Sequence, residues 1–256
     1  MKNKFLFLLP ILCLFLSSCF EIEETYTINE NGTYVVNYNL DMGGIMGLVT
    51  KMAPDSVKET SNYKLGRDTV INLSTMPDSL KENMSAKELE IVNNTNMHMQ
   101  MKMADGIFKI GFTNTGKSID NLKYFLSNFG NTIQKAKVGK LINTPGAETS
   151  SESTTDKEMP FNNKEFEYII TNKSFERKIK PEVLAVQKEK NQKNYDIMKT
   201  MDIKMTSTII INLPRPAMSI ENSKATLSAD KKQFKLELNM LEAINNPETL
   251  NFKINY

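Results

Sequence analysis

The alternation of apolar and polar positions predicts a chain built mainly of β-strands. Tyr26 and Ile28 alternate with polar residues ahead of an Asn31-Gly32 turn signal, so residues 24–40 are expected to form a β-hairpin. Other stretches carry the same period of two, or are short apolar runs bounded by turn residues. These further predicted strands are ELEIV, NTNMHMQMKM, IFKIGFT, EFEYIIT, STIIINLP, QFKLELNM and LNFKINY.

Helical spacing of apolar residues marks fewer segments. A helix is predicted from Ser118, because the apolar residues that follow recur at intervals of three and four. A second, polar helix is predicted from Pro181 to about Met201, since proline is favoured at the first helical position. Residues 42–53 are expected to form a short apolar helix or loop, and residues 54–87 to be turn-like. Grouped strands and few helices predict an α+β fold, with a mostly antiparallel sheet built of hairpins and a few packed helices.

Composition divides the chain into four parts. Residues 143–160 are small, polar and rich in serine and threonine, which is typical of a flexible insertion or linker. They separate an N-terminal α+β part, residues 19–142, from a C-terminal α+β part, residues 161–256. The second part is expected to belong to the same domain as the first or to pack closely on it. Residues 1–18 are predicted to be a lipoprotein signal peptide, which the mature chain would lack.

The N-terminus combines a short basic region with an apolar run that leads into Leu16-Ser17-Ser18-Cys19. The run from Phe5 to Leu16 is too short to cross a bilayer, because spanning takes ~20 residues. The last four residues resemble the lipobox of bacterial lipoproteins. That resemblance implies cleavage before Cys19, a diacylglycerol on its sulfur and a fatty acid such as palmitate on its new amine. Two or three acyl chains hold a protein stably on a membrane, so the expected partner is the membrane itself.

Cysteine usage favours this cleavage over the alternative, an ordinary buried cysteine at the end of a signal anchor. The chain has two cysteines, and Cys13 lies in the segment to be removed, so the mature protein is expected to carry neither a free thiol nor a disulfide. Removing residues 1–18 takes away two lysines and no acids, which leaves 30 basic against 30 acidic residues. Such a near-neutral chain lacks the concentrated basic surface that nucleic acid binding needs.

The residues after the cysteine, Phe20-Glu21-Ile22-Glu23-Glu24, allow two interpretations. They resemble the acidic export tags that direct some Bacteroidota lipoproteins to the outer face of the outer membrane. They also suit the polar start of a strand. The protein is therefore expected in the cell envelope, lipid-anchored to the outer membrane, with the periplasmic and outer faces both open.

Residues 111–118, GFTNTGKS, match the phosphate-binding loop pattern, in which backbone N–H groups surround phosphates. In a nucleotide site Lys117 would reach the terminal phosphates and Ser118 would hold Mg²⁺. The preceding strand alternates in polarity, however, whereas a phosphate-binding loop follows a strand that is apolar on both faces. No later apolar strand ends in the aspartate that would bind Mg²⁺ through water. The match is therefore interpreted as chance, with Thr113 to Lys117 forming a strand-to-helix turn and Ser118 capping the helix.

Four methionines at every second position, Met97, Met99, Met101 and Met103, would share one face of a strand. Thioether sulfurs suit Cu(I), so a periplasmic Cu(I)-binding protein is one hypothesis. The other is a half-buried strand whose core face is methionine, because the chain has 16 methionines. His98, the only histidine, alternates with them toward solvent. This placement excludes Ser-His-Asp catalysis and histidine-based zinc sites.

A short pattern marks three hydroxyl side chains for modification. Ser56, Thr69 and Ser79 each follow an aspartate and precede an apolar residue. This arrangement resembles the O-glycosylation signal of Bacteroidota, and the alternative is three ordinary turns. The three residues are predicted as glycosylation candidates of an exported protein.

Beyond the lipobox, two stretches resemble small bacterial lipoproteins of the LppM kind. INENGTYVVNYNL matches their first hairpin, close behind the lipid cysteine, and INLPRPAMSIENSKATLSADKKQFKLELNM matches their late Leu-Pro break, polar hairpin and last strand. The resemblance implies an envelope location and brings no catalytic residues with it. The expected function is a non-enzymatic, lipid-anchored envelope protein with a binding or assembly role, an envelope protein as partner and no cofactor.

Overall fold

The computed structural model describes residues 19–59, 61–141, 163–184 and 204–256. The predicted signal peptide and the Ser/Thr-rich insertion lie outside the described residues. Of the helix predicted to start at Pro181, residues 181–184 are described and are helical. The predicted division of the chain into four parts therefore stays a prediction.

Twelve strands in the described ranges form two sheets. They are β1 (Cys19–Ile28), β2 (Tyr34–Asp41), β3 (Arg67–Asn72), β4 (Thr95–Lys102), β5 (Ile107–Gly116), β6 (Phe166–Ile170), β7 (Ser174–Ile179), β8 (Lys204–Asn212), β9 (Ser219–Glu221), β10 (Ala225–Leu227), β11 (Gln233–Asn239) and β12 (Phe252–Asn255). The larger sheet has the order β10-β11-β8-β1-β2-β5-β4-β3, and the smaller one β6-β7-β12-β9. Among these strands only β1 and β8 pair in parallel. The predicted α+β class with a mostly antiparallel sheet is confirmed.

Helices connect the strands and cover part of the larger sheet. Those described are α1 (Gly43–Met52), α2 (Asp55–Lys58), α3 (Ser61–Lys64), α4 (Ala86–Asn93), α5 (Ile119–Lys135) and α6 (Met240–Asn245), with 3₁₀ turns at Leu73–Thr75, Asp78–Leu80, Met103–Asp105, Val138–Leu141, Asn163–Glu165 and Pro247–Leu250. The helix predicted from Ser118 is α5. The Ser118 hydroxyl accepts a hydrogen bond from the Asn121 N–H, and Asp120 lies in the first turn, so the helix begins with a favourable cap and charge.

The larger sheet buries one face and exposes the other. In β2 the side chains of Tyr34, Val36, Tyr38 and Leu40 are buried, and those between them are partly or fully exposed. The same alternation runs through β4, β5, β8 and β11. Register is fixed by this pattern, because a slip of one residue would turn the apolar face of a strand toward solvent. We call the buried side the inner face and the exposed side the outer face.

Two elements cover the inner face side by side. Helix α5 lies over β2 and β5, where the ring of Phe125 stacks 5.8 Å from the ring of Tyr38. The smaller sheet lies beside it, and its Phe175 meets Tyr26 of β1 edge-on with ring centroids 5.6 Å apart. Aromatic pairs at such distances stabilise a core beyond the area that they bury. One apolar cluster therefore joins both sheets and α5.

The stretch ELEIV, predicted to be a strand, lies instead in helix α4. Ser85 and Glu88 form a capping box: the Ser85 hydroxyl accepts from the Glu88 N–H at 3.3 Å, and the Glu88 carboxylate accepts from the Ser85 N–H at 2.8 Å. Ile91 and Val92 are buried on one side of the helix. The cap and this helical face outweigh a two-residue alternation that is only five residues long.

Residues 54–87 contain more regular structure than the sequence predicts. They hold α2, α3 and β3, which is the edge strand of the larger sheet beside β4. All six residues of β3 are exposed or half-buried, so the strand lacks the apolar face that would mark it in the sequence. Its partner β4 supplies the pairing instead, through a ladder from Arg67 to Asn72.

Candidate functional site

The first strand begins at the residue that the lipobox resemblance places first in the mature chain. β1 starts at Cys19, which pairs in register with Lys204 of β8. Two residues later, Glu21 pairs with Asp41 of β2. The main chain therefore belongs to the sheet from Cys19 onward, and no spacer separates the predicted lipid site from the folded domain.

The acidic stretch after Cys19 is part of β1. Phe20 and Ile22 are each 8 % exposed and belong to the apolar cluster. Glu21 and Glu23 lie on the outer face, whereas the Glu24 side chain is turned inward and is 13 % exposed. These residues form the polar start of a strand, as one of the two interpretations predicts. The export-tag interpretation stays a hypothesis.

Glu24 is the partner of a buried arginine that the sequence analysis missed. Arg177 of β7 is 1 % exposed, and its Nη1 lies 3.5 Å from Oε2 of Glu24. Its Nε and Nη2 donate to the carbonyl of Leu250 at 3.1 and 3.0 Å. The guanidinium carbon also lies 4.6 Å from the ring centroid of Phe166 and 5.0 Å from that of Phe252, which are favourable cation–π distances. The arginine thus ties the smaller sheet to β1 of the larger one.

Tyrosine hydroxyls surround this ion pair. Tyr26 donates to the Glu24 carboxylate, and Asn163 donates to the hydroxyl of Tyr38 at 2.7 Å. Burial raises the pKa of Tyr26, Tyr38 and Tyr168 above the ordinary value of 10.0. Their hydroxyls therefore stay protonated at neutral pH. The cluster is a set of neutral dipoles around one buried ion pair, which suits a structural role better than acid–base chemistry.

A cleft of about 110 Å³ opens at the far end of the larger sheet from Cys19, between α4, α5 and the ends of β2 and β5. Its polar groups bind one another. The Tyr34 hydroxyl donates to Asn114 at 3.0 Å, and the Asn114 amide donates to Thr95 at 2.9 Å. The Asn121 amide donates to Glu90 at 2.5 Å. The cleft is also smaller than the ~300 Å³ at which ligand pockets begin.

A second recess, of about 260 Å³, lies at the Cys19 end of the outer face. Two of the charged groups that line it, Asp41 and Lys109, pair with each other. Asp41 Oδ2 lies 2.9 Å from Lys109 Nζ, and Oδ1 of the same carboxylate accepts from the Gly43 N–H at 2.9 Å. Glu21 lines the same recess. The recess is therefore a polar hollow beside the predicted lipid site.

The methionine stripe lies on the inner face. Met97, Met99, Met101 and Met103 are 0, 1, 5 and 5 % exposed, and the three that belong to β4 pair with apolar residues of β5. The methionines thus form a buried core face, as the second interpretation predicts, except that Met103 lies in the 3₁₀ turn Met103–Asp105 rather than in the strand. The described residues contain no group of three or more His, Cys, Asp or Glu side chains arranged to hold a metal. Binding of Cu(I) by the four methionines stays a hypothesis.

The residues of the phosphate-loop match do not form a loop. Residues 111–116 are extended in β5, which pairs with β2 on one side and β4 on the other. Backbone N–H groups committed to a sheet ladder cannot surround a phosphate. The predicted turn from Thr113 to Lys117 is wrong, since the strand continues to Gly116. Ser118 is the helix cap, as predicted.

His98 lies on the outer face, and its side chain is 54 % exposed. Its Nε2 is 2.7 Å from Oδ1 of Asp68, and Gln100 donates to Oδ2 of the same carboxylate at 3.2 Å. The hydrogen bond with His98 lowers the pKa of Asp68 below its ordinary value. The pairing of Asp68 with His98 was not predicted, because β3, which carries Asp68, has no apolar face that would mark it as a strand. The pair links the edge strand β3 to β4 on the outer face. Among the described residues, no serine, threonine or cysteine side chain is hydrogen-bonded to it.

The three glycosylation candidates differ in accessibility. Ser56 is exposed in α2, and Ser79 is exposed in the 3₁₀ turn Asp78–Leu80. Thr69 is half-buried in β3, where it pairs with Met99. Modification at these residues stays a prediction, with Ser56 and Ser79 the more accessible hydroxyls.

No protein-family model and no curated protein matches the chain. The NMR structure of the folded domain of LppM from Mycobacterium tuberculosis is similar over 93 % of this chain and 90 % of that one, with 7 % sequence identity and a TM-score of 0.39. This neighbour is of the LppM kind that two stretches of the sequence resemble. In the described residues no helix is long and apolar enough to cross a membrane.

Proposed function

We propose that the protein is a non-enzymatic lipoprotein of the bacterial cell envelope, anchored by acyl chains on Cys19. The observation that carries the proposal is that β1 begins at Cys19, the residue that follows the proposed cleavage site. Cleavage before Cys19 would therefore leave every strand of the described residues intact. The lipobox Leu16-Ser17-Ser18-Cys19 supports the same site independently.

The proposed role is binding or assembly within the envelope, with another envelope protein as partner. Among the described residues, three polar groups that could do chemistry are engaged in contacts within the fold. Glu24 is held by Arg177, His98 by Asp68, and Asp41 by Lys109. These contacts support a role that depends on the surface of the domain rather than on a reaction centre.

The proposed location is the outer membrane of a Bacteroidota-type envelope. The acidic residues Glu21 and Glu23 remain on the outer face of the sheet, where a sorting factor can reach them. Protease treatment of intact and lysed cells tests which side of the membrane carries the domain. Digestion of intact cells supports the outer surface, and digestion only after the membrane is opened supports the periplasm.

The anchor is tested by substituting the two cysteines separately. In cells labelled with a radioactive fatty acid, we expect Cys19→Ser to remove the label from the protein and to release it from the membrane fraction. Cys13→Ser is the matched control, because Cys13 lies in the predicted signal peptide. It should leave both labelling and membrane association unchanged. Labelling that persists in Cys19→Ser would refute the proposed anchor.

A further inference from the structure

We propose that the domain rests on the membrane through one edge of its larger sheet, with Met52 and Leu65 in the lipid interface. We call this edge of the sheet the Cys19 edge. It consists of helix α1, the Leu65-Gly66 segment and a row of four residues across the strands: Lys204, Cys19, Ile107 and Lys102. The inference rests on the proposed lipid anchor at Cys19. It adds the orientation of the domain and the surface that contacts lipid.

The register of the sheet places four residues in one row. Cys19 of β1 pairs with Lys204 of β8. The pairings of β1 with β2 and of β2 with β5 bring Ile107 level with Cys19, and Ile107 pairs with Lys102 of β4. Neighbouring strands lie ~4.8 Å apart, so the row extends to both sides of the lipid site. Because Cys19 is itself within the ladder, acyl chains on it bring the whole row to the membrane surface.

Close contacts show that α1 and the segment before β3 lie at the same edge. A Cβ atom at Gly43, the first residue of α1, would lie 2.9 Å from the carbonyl oxygen of Gly106, in the turn between β4 and β5. A Cβ atom at Gly66 would lie 2.8 Å from Cγ of Lys102. The backbone of Gly43 therefore packs against the backbone of Gly106, and the backbone of Gly66 packs against the side chain of Lys102. Helix α1 and Leu65 flank the row on the side of β5 and β4.

The Cys19 edge carries two of the exposed large apolar side chains of the described residues, the others being Val70, Ile169 and Met218. Met52, the last residue of α1, is 83 % exposed, and Leu65 is 65 % exposed. A single exposed apolar residue needs no explanation in a soluble protein. Here, however, both belong to the edge that the anchor brings to lipid. Transfer of such side chains into the membrane interface removes apolar surface from water and adds to the hold of the acyl chains.

The Cys19 edge carries exposed cations that can meet phospholipid phosphates, beside the acidic Glu21 and Asp41 of the outer-face recess. Its exposed cationic residues are Lys51, Lys64, Arg67, Lys102 and Lys204. Lys64 pairs with Glu59 and Lys102 with Asp105, and both pairs are exposed to solvent. Lysine and arginine can lay their apolar stems along the interface and hold their charge among the phosphates. Exposed apolar side chains such as Met52 and Leu65, flanked by cations, are typical of a membrane-contacting surface.

The opposite edge of the sheet then points away from the membrane. It includes the Asn31-Gly32 turn, the Ser118 cap of α5 and the cleft lined by Tyr34 and Asn114. Met218, which is 75 % exposed, follows the far end of β8. A partner protein would meet these residues first. The orientation thus separates the lipid-contacting surface from the surface available to a partner.

Tryptophan fluorescence tests the orientation, because the chain has no tryptophan of its own. Full-length protein purified from membranes with its acyl chains is reconstituted in phosphatidylcholine vesicles whose acyl chains are brominated, a quencher of tryptophan. Single substitutions Met52→Trp and Leu65→Trp probe the Cys19 edge, and Met218→Trp is the matched control at an exposed apolar position. We expect roughly twofold lower emission from the first two in brominated than in plain vesicles, and no change for the control.

The outcomes separate the orientation from the anchor. Quenching of Met52→Trp or Leu65→Trp, without quenching of Met218→Trp, supports the proposal. Unquenched emission from both, in protein that floats with the vesicles, overturns the orientation and leaves the anchor standing. Quenching of Met218→Trp also overturns it. Wild-type protein that carries no acyl chain and fails to float refutes the proposed function itself. Circular dichroism of each variant shows that the fold is retained.

Discussion

Arg177 and Glu24 show how a single contact can join parts of the chain that are far apart. They are separated by 153 positions and meet between the two sheets. A guanidinium with 1 % exposure loses most of its hydration, and the loss is offset by the Glu24 carboxylate, the Leu250 carbonyl and two aromatic rings. No local pattern in the sequence marks either residue, because Glu24 directly follows another glutamate and Arg177 stands in the charged run Glu176-Arg177-Lys178. The contact follows only from the packing of one sheet on the other.

Because of this packing, replacing Arg177 is expected to lower the stability of the fold substantially. We expect Arg177→Met to lower the free energy of unfolding by about 3 kcal/mol, because it leaves Glu24 buried without its cation. Arg67→Met, at an exposed position in β3, should change stability by less than about 0.5 kcal/mol. Urea unfolding of the purified protein followed by circular dichroism measures both. Equal effects of the two substitutions would show that the buried pair does not join the sheets.

Ser118 and Lys117 distinguish a helix cap from a nucleotide site. Ser118→Ala should lower the free energy of unfolding by about 1 kcal/mol, since the cap of α5 is lost. Lys117→Ala should change stability by less than about 0.5 kcal/mol. Neither substitution should alter the response of the protein to ATP and Mg²⁺ in calorimetry. If wild type bound ATP and Lys117→Ala did not, the phosphate-loop interpretation would have to be restored.

At the scale of elements, the sequence predicts what depends on local pattern. Strands β1, β2, β4, β5 and β11 and helix α5 are recognisable from the spacing of their buried residues. Helix α4 is mispredicted because a five-residue stretch fits both periods, and the Ser85 and Glu88 cap decides between them. Strand β3 is missed because its stability comes from its neighbour. The parallel pairing of β1 with β8 joins two distant strands, and alternation alone does not say which strands become neighbours.

The glycines of α1 are predicted to respond in opposite ways to alanine. A Cβ atom at Gly47 would meet nothing within 4 Å, so Gly47→Ala should raise the free energy of unfolding by about 1 kcal/mol through helix propensity. A Cβ atom at Gly43 would lie 2.9 Å from the Gly106 carbonyl oxygen, and Gly43→Ala should therefore be destabilising. Thermal unfolding of the two variants measures the difference. Two stabilising substitutions would mean that α1 does not pack on the β4–β5 turn.

The link between α4 and α5 predicts a dependence of stability on pH. Lys135 lies 2.6 Å from the Glu88 carboxylate, and this hydrogen bond, with that of the Ser85 N–H, lowers the pKa of Glu88 below its ordinary value of 4.5. The folded state therefore binds fewer protons than the unfolded state. The stabilisation is complete above the ordinary pKa and is lost as pH falls through the lowered one.

Comparison of Glu88→Gln with wild type measures this contribution. The difference in urea midpoint between the two proteins should be largest near pH 7 and should shrink as pH falls below 4.5, the ordinary pKa of the side chain. Glu82→Gln, at an exposed position before α4, is the control and should differ little from wild type at any pH. A difference that stays constant down to about pH 3, below the ordinary pKa of a carboxyl group, would mean that the charge of Glu88 does not contribute to stability.

At the scale of the whole molecule, the proposed anchor and the first strand share one residue, Cys19. A lipoprotein with a long linker can present its domain in any orientation, whereas a strand that begins at Cys19 restricts the domain to a few. The four lipobox residues predict the anchor, and the alternation of residues 24–40 predicts the hairpin that follows it. The consequence for orientation appears only when the register of β1, β8, β5 and β4 is known.

The most direct test of this account is the mass of the N-terminal peptide of the protein purified from membranes. Cleavage after glutamate releases Cys19-Phe20-Glu21 from a chain processed at the proposed site. The account predicts this peptide with a diacylglycerol on sulfur and a fatty acid on the amine. An unmodified Cys19, or a mature chain that begins at another residue, would contradict both the lipid anchor and the orientation derived from it.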